Sequence, residues 1–262
     1  MLKVITGPCV IENETITLQI AEAIKEISDK LNLDIIFKAS FDKANRSSIN
    51  GFRGVGFDEG IRIFKKIKAQ FGLKTTTDIH VPEQADIIAD CVDIIQIPAL
   101  LCRQTDLLLA AAKTHRSLSI KKGQFLSPKE MSNVINKVSN VNPDQIFIIE
   151  RGTCFGYQNL VVDMRGIQIM KDELGVEVII DASHSIQLPG LGGDHSSGTP
   201  QYIPVIARAG IIAGAGGVFI ETHPNPEKAL SDGPNSLPLH KLEPLLKQLV
   251  LLHQTYNQFE VI

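Results

Sequence analysis

Four cysteines in 262 residues, none of them in a CxxC pair, exclude a disulfide framework and a zinc knuckle. Cys9, Cys91 and Cys102 stand in or beside apolar runs and Cys154 in a Gly-rich turn, as expected of a protein in a reducing cytoplasm. Apolar stretches are all too short for a bilayer-spanning helix, so no membrane partner is expected. The opening MLKVITGPC lacks the pattern of a secretory signal and runs directly into a strand-like segment. A formal charge of −3 denies the chain the basic footprint of a nucleic-acid-binding protein. Missing too are a GxGxxG turn after the first strand, any low-complexity tract and any composition break that would mark a linker. One domain over residues 1–262 is the expectation.

What is present is a repeated unit. Short β-branched runs recur at 2–6, 34–40, 73–78, 92–97, 118–123, 145–150, 176–181 and 217–222. They are continuously apolar instead of alternating, which suits parallel strands buried on both faces. Segments of helical periodicity such as ITLQIAEAIKEISDK and FDEGIRIFKKIKAQFG lie between them, and LHKLEPLLKQLVLLHQ follows the last. Eight such βα units in a chain of this length predict a (β/α)8 barrel, in preference to an open doubly wound sheet.

In that architecture function gathers at the C-terminal ends of the strands. Here those ends read TGPC, KASFDKANRSS, TDIH, QIPA, KKGQ, ERGTCFG, DASH and ETHPNPEKALSDG. Lys38, Lys43, Arg46, Lys121 and Arg151 would converge on one mouth, facing Asp78, Glu221 and Asp232. Any one of the cations alone reads as a solvated loop charge. Together they would repel one another unless an anion is bound, and Arg with Lys suits phosphate and carboxylate oxygens. A phosphorylated substrate, or two, is expected.

Cys9, His184, Glu221 and Asp232 form a second constellation, at the ends of the first, seventh and eighth strands and in the loop after the eighth. Thiolate, imidazole and two carboxylates make a shell for a divalent transition metal. The plainer alternative is a buried thiol with a structural histidine, and spacing alone leaves both open. His80, His195 and His223 also fall near strand ends or in long loops, whereas His115, His240 and His253 fall on or beside helices. The stretch LPGLGGDHSSGTP at 188–200 reads either as a lid over the mouth or as a connection.

Taken in order, FKASFDKANRSS, TTTDIH, IQIPALLCRQTDLL, KKGQFLSP, ERGTCFGYQNLVVDMR, DASHSIQLPG and ETHPNPEKALSDGPNSLPL resemble the 3-deoxy-D-manno-octulosonate 8-phosphate synthases over essentially the whole chain. The resemblance implies a (β/α)8 barrel that condenses phosphoenolpyruvate with D-arabinose 5-phosphate and water, releasing inorganic phosphate, for lipopolysaccharide biosynthesis. It implies that Lys38, Lys43, Lys121 and Arg151 hold phosphoenolpyruvate with Gln96 and Ala99 beside it, and that Asn45, Arg46 and Ser47 hold the sugar phosphate. Arg103 is then expected to reach the sugar phosphate of a neighbouring subunit in a homotetramer. The family has metal-dependent and metal-independent forms, with Cys and Asn respectively at the position of Cys9. The resemblance thus implies a divalent metal ion (Fe, Zn, Mn or similar) on Cys9, His184, Glu221 and Asp232.

One segment departs. SDGPNSLPL has a Pro after its Gly and is locally similar to the 3-deoxy-D-arabino-heptulosonate 7-phosphate synthases, which use erythrose 4-phosphate. Those enzymes read KPRTS where this chain reads KANRSS, so the five-carbon sugar phosphate is the expectation. Asp78, His184, Asp232 and Lys121 are the residues expected to take part in catalysis. A Schiff base on Lys38 or Lys121, and a silent barrel that senses sugar phosphates, are the competing readings.

Overall fold

The computed structural model describes residues 1–44, 48–141, 143–156, 159–190 and 197–259. Eight parallel strands run in chain order around a ring: β1 (Lys3–Gly7), β2 (Ile35–Lys38), β3 (Lys74–Asp78), β4 (Ile94–Ile97), β5 (Ser117–Lys121), β6 (Ile146–Glu150), β7 (Glu177–Asp181) and β8 (Gly217–His223). β8 pairs back on β1, with Phe219 opposite Ile5 and Glu221 opposite Gly7, which closes the barrel. Each strand begins and ends within two residues of the run expected from the sequence. Outside them pack α1 (Glu14–Leu31), α2 (Phe57–Phe71), α3 (Ala85–Ala89), α4 (Thr105–Lys113), α5 (Met131–Ser139), α6 (Arg165–Leu174), α7 (Ile203–Ile212) and α8 (Leu242–Tyr256). The chain is a (β/α)8 barrel. Among the described residues no helix is long and apolar enough to cross a membrane.

The unbroken apolar runs are explained by two separate cores. Ile5, Ile36, Ile94, Phe147, Ile149, Ile179 and Phe219 point inward and form a compact cluster that fills the barrel. Alternate residues such as Val4, Phe37, Ile95, Ile120, Ile148, Ile180 and Ile220 face the helices in a much larger cluster. A strand with both faces buried has no polar alternation to show.

Helix α1 shows how the outer layer is specified. Asn13 accepts a hydrogen bond from the Ile16 N–H at 3.0 Å and so caps its start, and Asn32 in the left-handed conformation (φ 50°) ends it. Between these caps Thr17, Ile20, Ala21, Ile24 and Ile27 recur at three- and four-residue spacing and are the buried face.

Candidate active site

Side chains alternate in and out along each strand, so the residue two places beyond the inner apolar layer also points into the barrel. That step puts Lys38, Gln96, Lys121, Asp181 and Glu221 at the C-terminal mouth, with Asp78 beside Gln96 in register. Phe219 is the floor beneath them. Its ring centroid lies 3.9 Å from Lys121 Nζ, 5.7 Å from Lys38 Nζ and 5.6 Å from the His184 ring.

The cations at the mouth are compensated within the chain. Lys38 Nζ donates to Glu221 Oε1 at 2.8 Å and to the Cys9 carbonyl at 2.9 Å. Lys121 Nζ donates to Asp181 Oδ2 at 2.7 Å. Repulsion among cations is therefore a weaker argument for an anionic guest than the sequence suggests, because carboxylates two strands away around the ring already offset it. The anion-seeking features are more local. Arg151 Nε is buried without a partner among the described residues, while Nη2 donates to the His184 carbonyl at 2.8 Å and Gln187 Oε1 at 2.7 Å and Nη1 to Gln124 Oε1 at 3.5 Å. Lys43 Nζ donates to Ser40 Oγ at 3.0 Å. Burial opposes its charge, but Cys9, Glu221, Asp78 and Asp232 more than offset that and hold its pKa above the usual range.

Cys9, Glu221 and Asp232 are all buried, and one ligand atom from each lies within 4.8 Å of the other two. Cys9 Sγ donates to Asp232 Oδ2 at 3.2 Å and lies 3.1 Å from Ser231 Oγ. His184 stands just outside this group, with Nε2 at 3.6 Å from Glu221 Oε1. Its Nδ1 is 2.8 Å from Asp181 Oδ2, and its backbone N–H donates to Asp181 Oδ1 at 2.8 Å. Nδ1 thus lies against the Asp181 carboxylate and 3.1 Å from Lys121 Nζ, with Nε2 facing the group; a carboxylate behind an imidazole is commonly seen at metal sites.

Burial, with the Asp232 and Glu221 carboxylates beside it, pushes the Cys9 thiol above its ordinary range. Burial alone would raise Glu221 as well, but Lys38, His184 and Lys43 bring it down to about 2. Its Oε2 is buried without a partner among the described residues. A thiol that divalent charge would deprotonate, two carboxylates and an adjacent imidazole make a donor set that fits a transition-metal ion.

Asp78 ends β3 at the same mouth. Its Oδ2 is 3.1 Å from His80 Nε2, and Oδ1 is buried without a partner among the described residues. Burial would raise this carboxyl, but His80, Lys43 and Lys38 hold it far below the usual range. Gln96 Oε1 and Ser119 Oγ, beside it in register, are likewise buried and unpartnered. Ala99 is buried in the helical turn after β4, and Arg103 is exposed just beyond that turn. Asn45, Arg46 and Ser47 lie outside the described residues, as do His195 and the rest of 191–196 in the 188–200 stretch.

The geometry adds residues that the sequence reading passed over. Asp181 joins Lys121 to His184, and Ser183 Oγ accepts from the Glu221 N–H at 2.8 Å. A signal for Asp181 existed, because it opens the DASH strand end beside His184. Phe219 had none, since an inward aromatic reads like any other apolar strand residue.

The profile of the DAHP synthetase I family matches residues 1–257. The chain belongs to that family. Similar curated members are each called 2-dehydro-3-deoxyphosphooctonate aldolase. The one from Desulfosudis oleivorans is 51% identical over 257 residues, covering 98% of this chain and 92% of its own length. The one from Geobacter sp. is 50% identical over 257 residues, covering 98% and 94%. That from Synechococcus sp. is 50% identical over 248 residues, covering 95% and 87%.

Proposed function

We propose that this chain is a metal-dependent synthase that condenses phosphoenolpyruvate with D-arabinose 5-phosphate and water, giving 3-deoxy-D-manno-octulosonate 8-phosphate and inorganic phosphate for lipopolysaccharide biosynthesis. The observation that carries the reading is one mouth shared by Lys38, Lys121 and Arg151 and by the Cys9–Glu221–Asp232 group. Relatives at about half identity with the octonate name support the five-carbon sugar phosphate over erythrose 4-phosphate.

In this reading Lys43, Lys121 and Arg151 hold the phosphate and carboxylate of phosphoenolpyruvate, with Lys38, Gln96 and Ala99 lining its place. Asn45, Arg46 and Ser47 hold the sugar phosphate, and Arg103 reaches a neighbour's sugar phosphate in a homotetramer. The vinyl carbon of phosphoenolpyruvate bonds to the sugar aldehyde carbon, water adds at the adjacent carbon, and phosphate leaves by C–O cleavage. The chain's task is to hold two mutually repelling anions with the double bond over the aldehyde, where alignment alone supplies several kcal/mol. Asp78, with His80 behind it, stands on one face as the proton-exchanging group, and His184 and Asp232 are engaged by the ion. A divalent ion held by Cys9, His184, Glu221 and Asp232 supplies Lewis acidity there. We place the protein in the cytoplasm, where its four unbridged cysteines would stay reduced.

Phosphate release tests the proposal. Arabinose 5-phosphate should support turnover and erythrose 4-phosphate should not, and a chelator should stop the reaction. Turnover that survives exhaustive chelation sinks the metal assignment, and a preference for the four-carbon sugar sinks the substrate. Burial lowers the Lys121 ammonium below its ordinary range, a property that amine catalysts share. Borohydride added during turnover should nonetheless leave Lys121 unmodified, since Asp181 keeps it paired.

A further inference from the structure

Lys122 and Glu150 are neighbours of the two anion-holding residues, yet both point away from the mouth. Alternation sends Lys121 and Arg151 inward and Lys122 and Glu150 outward, into the layer between barrel and helices. Neighbouring outward positions there are Leu118, Ile120 and Ile148. Lys122 is completely buried and Glu150 is 2% exposed.

Lys122 Nζ reaches oxygens on two different turns. In the turn after β5 it donates to the Leu126 carbonyl at 3.1 Å and the Gly123 carbonyl at 3.4 Å. In the turn after β6 it donates to Thr153 Oγ1 at 3.3 Å and the Gly152 carbonyl at 3.4 Å. Glu150 Oε1 lies 3.5 Å from the ammonium and accepts from the Gly152 N–H at 2.6 Å. The same two turns meet again where Cys154 N–H donates to the Gln124 carbonyl at 2.9 Å.

Stability does not call for this pair, because well-packed apolar side chains usually serve as well or better than a buried ion pair. An apolar pair cannot, however, fasten two turns through their backbone oxygens. We propose that Lys122 and Glu150 are positioning residues that hold Lys121 and Arg151 at the spacing phosphoenolpyruvate requires. The inference rests on the reading that Lys121 and Arg151 bind that substrate. They act from behind, through the backbone of the residues that touch it.

The test uses the full-length, metal-loaded protein. Lys122→Met alone strands a buried carboxylate and is liable to misfold, so the decisive variant is the double change Lys122→Met/Glu150→Met, which removes both charges. Its KM for phosphoenolpyruvate should rise about tenfold or more, as small misplacements of binding groups do. The KM for the sugar phosphate, the metal content and the thermal midpoint should stay close to those of the parent. A merely structural pair would lower the folded fraction, and with it the maximal rate, while leaving that KM unchanged. Lys121→Ala and Arg151→Ala are run alongside. If they raise the KM and the double variant does not, the positioning role is overturned. If neither of them raises it, the substrate reading falls and the positioning role with it.

Discussion

Asp181 accepts from Lys121 at 2.7 Å and from the His184 backbone at 2.8 Å, while its Oδ2 also faces His184 Nδ1. Burial would raise its pKa, but His184 and Lys121 hold it far below the usual carboxylate range, so it is ionised throughout the working pH range. One carboxylate therefore orients together the imidazole proposed as a metal ligand and the lysine proposed to hold phosphoenolpyruvate. Asp181→Asn should weaken metal binding by about 10–100-fold, the usual cost of removing an outer partner of a ligand histidine. Competition with a colorimetric chelator measures it, and an unchanged metal affinity would refute the orienting role. Cys9→Ala should likewise leave the protein folded but unable to retain the ion through dialysis. Full metal occupancy in that variant would show that the thiol is not a ligand.

Two short segments beside the mouth are set by backbone demands. Gly7 ends β1, and a Cβ there would sit 2.0 Å from the Lys38 carbonyl oxygen. The close approach lets the chain turn toward Cys9, whose carbonyl then accepts from Lys38. Gly7→Ala should cost about 1–3 kcal/mol, as overpacking does, read as a lower urea midpoint. Asp232 adopts φ 46°, a region that Asp tolerates better than most residues, and this brings its carboxylate back to Cys9. On the outer layer, Asn13→Ala removes the α1 cap and should cost about 1 kcal/mol. The matching fall in thermal midpoint is about 2–4 °C.

The barrel's buried charges gather at one end, and acid should find them there. Asp78, Asp181 and Glu221 all have pKa values lowered in the fold, Glu221 from 4.5 to about 2. A lowered carboxyl binds its proton more weakly folded than unfolded, so its contribution is complete above the unfolded value and lost as pH falls through the folded one. Urea midpoints of the metal-free protein should owe no change to these groups between pH 7 and pH 5, and should drop steeply below about pH 4.5. A midpoint that holds down to pH 3 would mean that these carboxylates are not paired as described.

Much of this was legible beforehand. The strand positions could be read because double-sided burial writes itself as unbroken β-branched runs, and the mouth because barrel geometry assigns strand ends to one rim. Cys9, Glu221 and Asp232 were found by their chemistry, although more than two hundred residues separate the first from the others. Partners across strands were not legible. Nothing in the order of residues says that Glu221 compensates Lys38, that Asp181 serves both Lys121 and His184, or that Phe219 lies under all of them. Those pairings depend on register and on the closure of β8 against β1, which place residues from distant parts of the chain within hydrogen-bonding distance. Residue types and their periodicity determined the barrel and the chemistry available at its rim. Which charges meet, and so which remain to hold a substrate or a metal, was decided only by the closed ring, because electrostatic partnership is a matter of ångströms in space and not of order along the chain.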